Sequence, residues 1–403
     1  MQDLKQLAFV GVDSHKDQHT ACLTDCFSRN LATFDIPNDP NYFPELTNRI
    51  NAISGENGLK PVFGLEDTRY FGQRLAQFLI STGNYVKEIP AFKTERKRSQ
   101  SAHRDKSDPG DALAIAKVLI QDFDKLQTVD TFDELHLTLR VLVNQRGALI
   151  KEQTKIKNRL HLIIHRQYPR YEKMFKYPFT KSAVAFWERF SHPSYLKGTT
   201  VKSLAYFLKL HSNHTVSTKA AQRLLSIVSS DTPACESELV RAKVLQSLIR
   251  HLRFLQNEIE LAEQELKTFV PKAGLKLETL TGVDTVVAAK LISYIGNINR
   301  FSSSDKLAKC AGIAPTNKSS GKRLRYRKSK GGHRQLNATI YYIALTQVSK
   351  NRVGVPLNLK AREYYLRKIA EGKSKKEALT CLMRRLCDII YAMMKNKTEY
   401  RIS

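Results

Sequence analysis

Leu245, Leu248, Leu252, Leu255, Ile259, Ala262, Leu266 and Phe269 alternate spacings of three and four along the chain. A run of that kind predicts a long helix with a continuous apolar seam pressed lengthwise against another helix. Upstream, Leu135, Leu142, Leu149, Ile156 and Ile163 recur every seven positions, and Leu139 and Leu160 supply part of a second seam. The two helices can pack on each other as a hairpin or on the same helices of a second subunit. An ordinary helical bundle satisfies the pattern equally, and the sequence does not choose. The pattern divides the 403-residue chain into three: residues 1–130, a coiled-coil region at 131–270, and residues 271–403. An insert at about 170–235, rich in aromatic and basic residues, shows no clear period.

Ahead of the heptads, short apolar runs alternate with helical patterns. Leu7–Val12, Thr20–Thr24, Leu31–Ile36, Pro61–Leu65 and Tyr85–Ile89 read as strands; Tyr42–Ile53, Gly72–Ser81 and Asp111–Ile120 read as helices. Three strands at hairpin-like spacing followed by alternating helix and strand is the order of a ribonuclease-H-like mixed sheet, parts of which many α/β domains share. The predicted architecture is therefore an α/β N-terminal domain, a helical middle and a mainly α C-terminal domain.

Lys and Arg outnumber Asp and Glu by 66 to 38, a formal net charge of +28. Such a surplus repels itself in a compact fold unless a polyanion neutralises it, so nucleic acid is the expected partner. No apolar run is long enough to span a bilayer, no amphipathic basic helix carries bulky apolar residues opposite its charges, and Leu7–Val12 is too short for a secretory signal. The six cysteines form no CxxC pair or zinc-like spacing. They read as free thiols in a reducing, cytoplasmic compartment, with Cys381 and Cys387 as core residues.

Two carboxylates close predicted strands: Asp13 after Phe9-Val10-Gly11-Val12, and Glu66 after Val62-Phe63-Gly64-Leu65. Strand ends are where α/β sheets present ligands. Asp108 and Asp111 stand three apart at the start of a predicted helix, where Ser107 or Asp108 is the N-cap and the helix dipole favours acids in any case. One such acid alone is more often a cap or a solvated side chain. Four at positions able to converge, in a polyphosphate-binding chain, make a hard oxygen set suited to Mg2+. Asp67 and Asp105 are neighbouring alternatives.

Between Asp305 and Glu363 there is no acidic residue but fourteen Lys or Arg. The densest part includes Lys318, Lys322, Arg323, Arg325, Arg327, Lys328, Lys330 and Arg334, with Tyr326 interleaved as a stacking candidate. Arg96, Lys97 and Arg98 form a shorter basic stretch of the same kind. Ser319 and Ser320 precede Gly321 at the head of the long run. A serine there is usually a phosphate hydrogen-bond donor, but surrounding cations also stabilise charge on an attacked phosphate. Leu280-Thr281-Gly282-Val283-Asp284, leading into a helix at Thr285–Ile295, admits a helix-hairpin-helix turn that approaches a phosphate. A plain helix-starting turn is the simpler reading.

In order, Gly11-Val12-Asp13, the strand ending in Glu66, Asp108-Pro109-Gly110-Asp111-Ala112, and Ala311-Gly312-Ile313-Ala314-Pro315 followed by Ser320-Gly321 and a basic stretch resemble the insertion-sequence transposases of the IS110 family. These are relatives of the Piv DNA invertase and are also called bridge-RNA-guided recombinases. The likeness covers residues 7–120 and 275 to about 395, with the heptads matching the family's coiled coil. It implies a RuvC-like domain whose Asp-Glu-Asp-Asp tetrad, here Asp13, Glu66, Asp108 and Asp111, binds Mg2+. It further implies a C-terminal transposase domain whose serine, here Ser320, attacks DNA to form a phosphoserine link. A dimer or tetramer in which the two domains come from different subunits, and a structured non-coding RNA that selects target and donor DNA, follow from the same likeness. The chain departs from the family in Asp67-Thr68-Arg69 where Ala-Thr-Gly is common, in Ser107 for a common threonine, and in the long insert. A hydrolytic RuvC-type nuclease would need the carboxylates but no serine. A non-catalytic nucleic-acid-binding protein would need neither.

Overall fold

The computed structural model describes residues 4–66, 68, 71–98, 107–129, 134–212, 217–228, 235–314, 316–320, 323–327 and 331–401. The chain divides into two compact units, residues 1–134 and 135–403.

The first unit is a six-stranded mixed sheet. Its strands are β1 (Leu7–Ser14), β2 (Gln18–Thr24), β3 (Asn30–Pro37), β4 (Lys60–Leu65), β5 (Tyr85–Glu88) and β6 (Gln127–Thr128), in the order β3-β2-β1-β4-β5-β6. β1, β2 and β3 form an antiparallel meander; β4 pairs parallel to β1, and β5 parallel to β4. Helices α1 (Phe43–Glu56), α2 (Gln73–Ser81), α3 (Ala91–Arg98) and α4 (Asp108–Gln121) complete the unit. Period-two alternation sorts β1 cleanly. Ala8, Val10 and Val12 pack in one core with Phe43, Leu46 and Ile50 of α1 and Leu75 and Leu79 of α2. Leu7 and Phe9 pack in the other with Ile115, Val118 and Leu119 of α4.

Gly11 is the third residue on the α4 side. A Cβ there would lie 2.1 Å from the Ala112 carbonyl oxygen and 2.4 Å from the Ala116 nitrogen. The helix backbone therefore rests directly on the strand, through Ala112 and Ala116 one turn apart. Gly64, its register partner on β4, is less tight, with only side-chain atoms nearby, the nearest being Ile89 Cγ1 and Leu119 Cδ2 at 3.1 Å. Gly11→Ala should destabilise the protein by about 3 kcal/mol or more, the upper end of overpacking costs, because backbone rather than a flexible side chain must yield. Gly55→Ala, with nothing within 4 Å, should leave the denaturant midpoint unchanged or raise it. Equal midpoints for the two variants would contradict this packing.

The second unit is helical. α5 (Glu134–Gln167) is followed by four short helices, α6 (Tyr171–Met174), α7 (Lys181–Arg189), α8 (Val201–Leu210) and α9 (Thr218–Ile227), and then by α10 (Glu236–Phe269). Arg146 pairs with Glu263 at 2.6 Å and Glu152 with His251 at 3.4 Å, so α5 and α10 run antiparallel within one chain. The α10 seam is buried as its heptads predict, from Leu245 through Leu266. On α5 the predicted positions Leu135, Leu142 and Ile163 are only half-buried, while Val143 and Ile164 are fully covered. A straight helix of 3.6 residues per turn drifts off a seven-residue repeat, and neighbouring positions take over. The insert is a small aromatic core: Trp187 packs against Tyr168, Tyr171, Phe175 and Phe186 and donates Nε1–H to the Pro178 carbonyl at 3.0 Å. It shares this core with Leu245–Leu255 of α10.

After α10 come α11 (Thr285–Ile295), α12 (Ser304–Cys310), the ribbon β7 (Thr316–Ser320) and β8 (Arg323–Arg327), then α13 (Arg334–Val348), α14 (Leu359–Ala370) and α15 (Lys375–Asn396). Their core includes Leu139, Val143 and Leu266 of the long helices. All six cysteines are free; burial pushes the Cys387 thiol up to about 12, whereas Cys381 is half-buried. No helix among the described residues is long and apolar enough to cross a membrane.

Candidate active site

The register of the sheet positions the first two acids. Val12 pairs with Leu65, so Asp13 and Glu66 follow side by side at adjacent parallel strand ends. By alternation Asp13 continues the Leu7-Phe9-Gly11 side and Glu66 the Val62-Gly64 side, both facing α4. The other two acids ride on that helix. Ser107 is the N-cap, its Oγ accepting the Gly110 N–H at 3.3 Å, which puts Asp108 and Asp111 in the first turn. The glycine seat at Gly11 then brings the N-terminus of α4 over the strand ends.

Asp13 feels this crowding. Burial, followed by the Asp111 and Asp108 charges, pushes its carboxyl above the ordinary range, while His15 opposes the shift. Asp111 is buried at 5% exposure, and Glu66 is half-buried. His15 is the residue that sequence reasoning missed. Its Nε2 stands 3.1 Å from Asp13 Oδ2 and 3.5 Å from Asp108 Oδ1, bridging strand end and helix start. Its signal was the i, i+2 spacing from Asp13, which keeps the two on one side of an extended chain.

One donor atom from each of Asp13, His15 and Asp108 falls within 4.8 Å of the others. A site with surplus carboxylate charge around a half-buried Asp13 fits a divalent cation, which would offset the burial and the neighbouring charges that raise that carboxyl.

The basic region is a β-ribbon. Ser320 pairs with Arg323, Lys318 with Arg325 and Thr316 with Arg327; Lys322, Lys328 and Lys330 lie outside the described residues. The ribbon's base is clasped by two glycines at positive φ. A Cβ on Gly312 would lie 2.3 Å from the Gly331 carbonyl oxygen, and one on Gly332 2.5 Å from the Gly312 nitrogen. His333 N–H donates to the Cys310 carbonyl and Asn337 Nδ2 to that of Ala311, both at 2.8 Å. Ala311-Gly312 is thus the anchor from which the serine-bearing ribbon departs and returns. Arg334 is exposed at the start of α13. On α3, Arg96 is exposed and Lys97 bonds Gln121 at 3.0 Å; the Arg98 side chain lies outside the described residues.

The first unit carries paired carboxylates at strand ends and the second a clasped basic ribbon, and sequence comparison gives the class of the protein, a transposase. A DEDD transposase model matches residues 10–169, and the transposase model of the IS116/IS110/IS902 family matches residues 275–365. The chain is similar to the IS116 44.8 kDa protein of Streptomyces clavuligerus, 27% identical over 96% of this chain and 95% of the relative. It is also similar to the IS110 43.6 kDa protein of Streptomyces coelicolor, 25% identical over 97% and 95%, and to the IS900 42 kDa protein of Mycobacterium paratuberculosis, 22% identical over 98% of each chain. The chain belongs to the IS110 family of transposases.

Proposed function

We propose that the chain moves DNA by cutting and rejoining it through a covalent link to Ser320, using Mg2+ held by Asp13, Glu66, Asp108 and Asp111 in a RuvC-like domain. The carrying observation is the placement of Asp13 and Glu66 at paired strand ends, beside the first turn of α4 with its two acids. The strand order β3-β2-β1-β4-β5 supports the RuvC-like reading. Bound cations supply electrostatic stabilisation of phosphate charge as it develops. Asp13, Glu66, Asp108 and Asp111 hold them in place, and His15 orients Asp13 and Asp108 relative to each other.

In the covalent step the Ser320 Oγ attacks phosphorus, one phosphodiester oxygen leaves as a deoxyribose hydroxyl, and the serine proton ends on that hydroxyl. Rejoining reverses it: a deoxyribose hydroxyl attacks the phosphoserine and the proton returns to Oγ. Pleat alternation favours Ser320 over Ser319, because positions 318 and 320 share a face of the ribbon with their partners 325 and 323. A structured non-coding RNA that selects the DNA, and a homodimer or tetramer in which subunits share active sites, complete the proposal on the strength of family membership. The test is to incubate the protein with radiolabelled cognate DNA and Mg2+, denature it, and follow the label. Label retained on protein supports the serine route; cleavage with no retained label favours a hydrolytic nuclease.

The ribbon is the DNA grip in this reading. Changing Arg325 and Arg327 together to Ala should reduce the salt-dependence slope of nucleic-acid binding by about one unit per lost phosphate contact. An unchanged slope would remove the ribbon from the interface.

A further inference from the structure

The helix-starting turn at Leu280–Asp284 does not use its glycine to approach a ligand. Gly282, at φ +88°, turns its bare side to α13, where a Cβ would meet Thr346 at 3.1 Å, and Gln347 Nε2 donates to the Thr281 carbonyl at 2.9 Å. Asp284 caps α11 by accepting the Val287 N–H at 2.8 Å. The turn is therefore a packing device. The helix that it starts, however, lines a cleft of about 370 Å³ between α5, α11 and α13.

Lys290 of α11 is half-buried in this cleft. Burial, and then the charge of Arg146, hold its ammonium below the ordinary lysine range, and only Asp284 pulls the other way. Among the described residues no carboxylate comes within ion-pair distance of Lys290. Arg146, the second cation of the cleft, is fixed by two contacts to Glu263 Oε1, from Nε at 2.8 Å and Nη2 at 2.6 Å. A half-buried cation without an ion pair leaves its charge free to meet an incoming anion. Tyr294, whose ring lies tilted against that of His333 with centroids 4.9 Å apart, and Tyr342, 54% exposed, form the aromatic walls. The cleft also adjoins the basic ribbon in sequence: the chain returning through Gly332 and His333 enters α13, whose face Gln335, Ala338, Thr339 and Tyr342 closes the cleft.

We propose that this cleft seats one nucleotide of a single nucleic-acid strand, with its phosphate on Lys290 and its base stacked on Tyr342. A cation beside an exposed aromatic ring in a narrow cleft is the chemistry of single-strand binding. A stacked duplex keeps its base faces covered and offers Tyr342 nothing to stack on. The inference rests on nucleic acid being the partner of this family member, and it is independent of Ser320 and of the carboxylates.

The test is fluorescence-anisotropy binding of the full chain without Mg2+, so that no strand is cut, to a labelled single-stranded DNA, an RNA of the same sequence and the corresponding DNA duplex. Tyr342→Ala should weaken single-strand binding about tenfold and Tyr342→Phe should restore it, with duplex affinity nearly unchanged. Lys290→Gln should lower the single-strand salt slope by about 0.7. Whichever of the DNA and RNA strands shows the larger loss is the natural occupant. Thermal melts of each variant identify unfolding. With folded variants, single-strand affinity unchanged in both Tyr342→Ala and Lys290→Gln, or duplex affinity falling as far as single-strand affinity, overturns the proposal. If the adduct assay fails while these losses appear, the serine mechanism falls and the cleft stands.

Discussion

Asp13→Asn is expected to lower DNA strand cleavage by on the order of 10³-fold or more while leaving DNA binding nearly intact, because divalent-ion stabilisation of phosphate charge is worth several kcal/mol. On the proposed mechanism affinity comes mainly from the 28 surplus positive charges, whereas chemistry depends on a carboxylate at one strand end. A second readout follows from the raised carboxyl of Asp13. A carboxyl whose folded value lies above its unfolded one binds protons more tightly in the native state. It is therefore least costly to stability below the unfolded value, and stability is lost as pH rises through the folded value. Once ionised, Asp13, whose carboxyl is pushed up by burial and then by Asp111 and Asp108, destabilises the metal-free protein. Asp13→Asn should thus melt higher than the parent without divalent ions, and Mg2+ should raise the melting temperature of the parent more than that of the variant. Full cleavage by Asp13→Asn would take Asp13 out of the mechanism. An equal Mg2+ response would mean that the ion binds elsewhere.

How far this site was readable from sequence depends on which forces set each part of it. Strands β1 to β5 and helices α1, α2 and α4 follow from apolar periodicity, even though β3 buries only Ile36 fully, and their ends moved by only a few residues. α3 escaped notice because Ala91–Arg98 is nearly all polar and, among its described side chains, only Thr94 is fully buried; two-residue β6 is too short for any period to register. The carboxylates could be proposed one by one from strand ends and helix starts. Their pairing rests on the parallel register of β1 with β4, a long-range choice that local pattern does not contain. Gly11 carried the missing information: a glycine in an otherwise apolar strand marks where a helix backbone comes close. His15 was hidden because a lone polar residue after a strand is ordinarily a turn. Only the arrival of Asp108 gives it two acidic neighbours.

Ser320→Ala should abolish both the covalent protein–DNA adduct and recombination, whereas Ser319→Ala should leave both largely in place. The energetic reason for a serine is conservation: a phosphoserine keeps the phosphodiester bond energy for rejoining, which hydrolysis would release to solvent. Position supports the choice. Ser320 ends β7 paired in register with Arg323, and the Gly312–Gly332 clasp fixes where that ribbon leaves the helical core. On this proposal the hydroxyl must also reach a phosphate that would be held by cations at Asp13, Glu66, Asp108 and Asp111, which belong to the other compact unit of the chain. Mixing Ser320→Ala protein with Asp13→Asn protein then becomes decisive about subunit sharing. If one subunit's serine acts with another's carboxylates, the mixture should recover part of the adduct that neither variant forms alone; if each subunit is self-sufficient, it should recover none. Adduct formation by Ser320→Ala but not by Ser319→Ala would move the nucleophile by one residue and to the opposite face of the ribbon. Recombination by both variants would end the serine mechanism and leave a hydrolytic enzyme built on the same carboxylates.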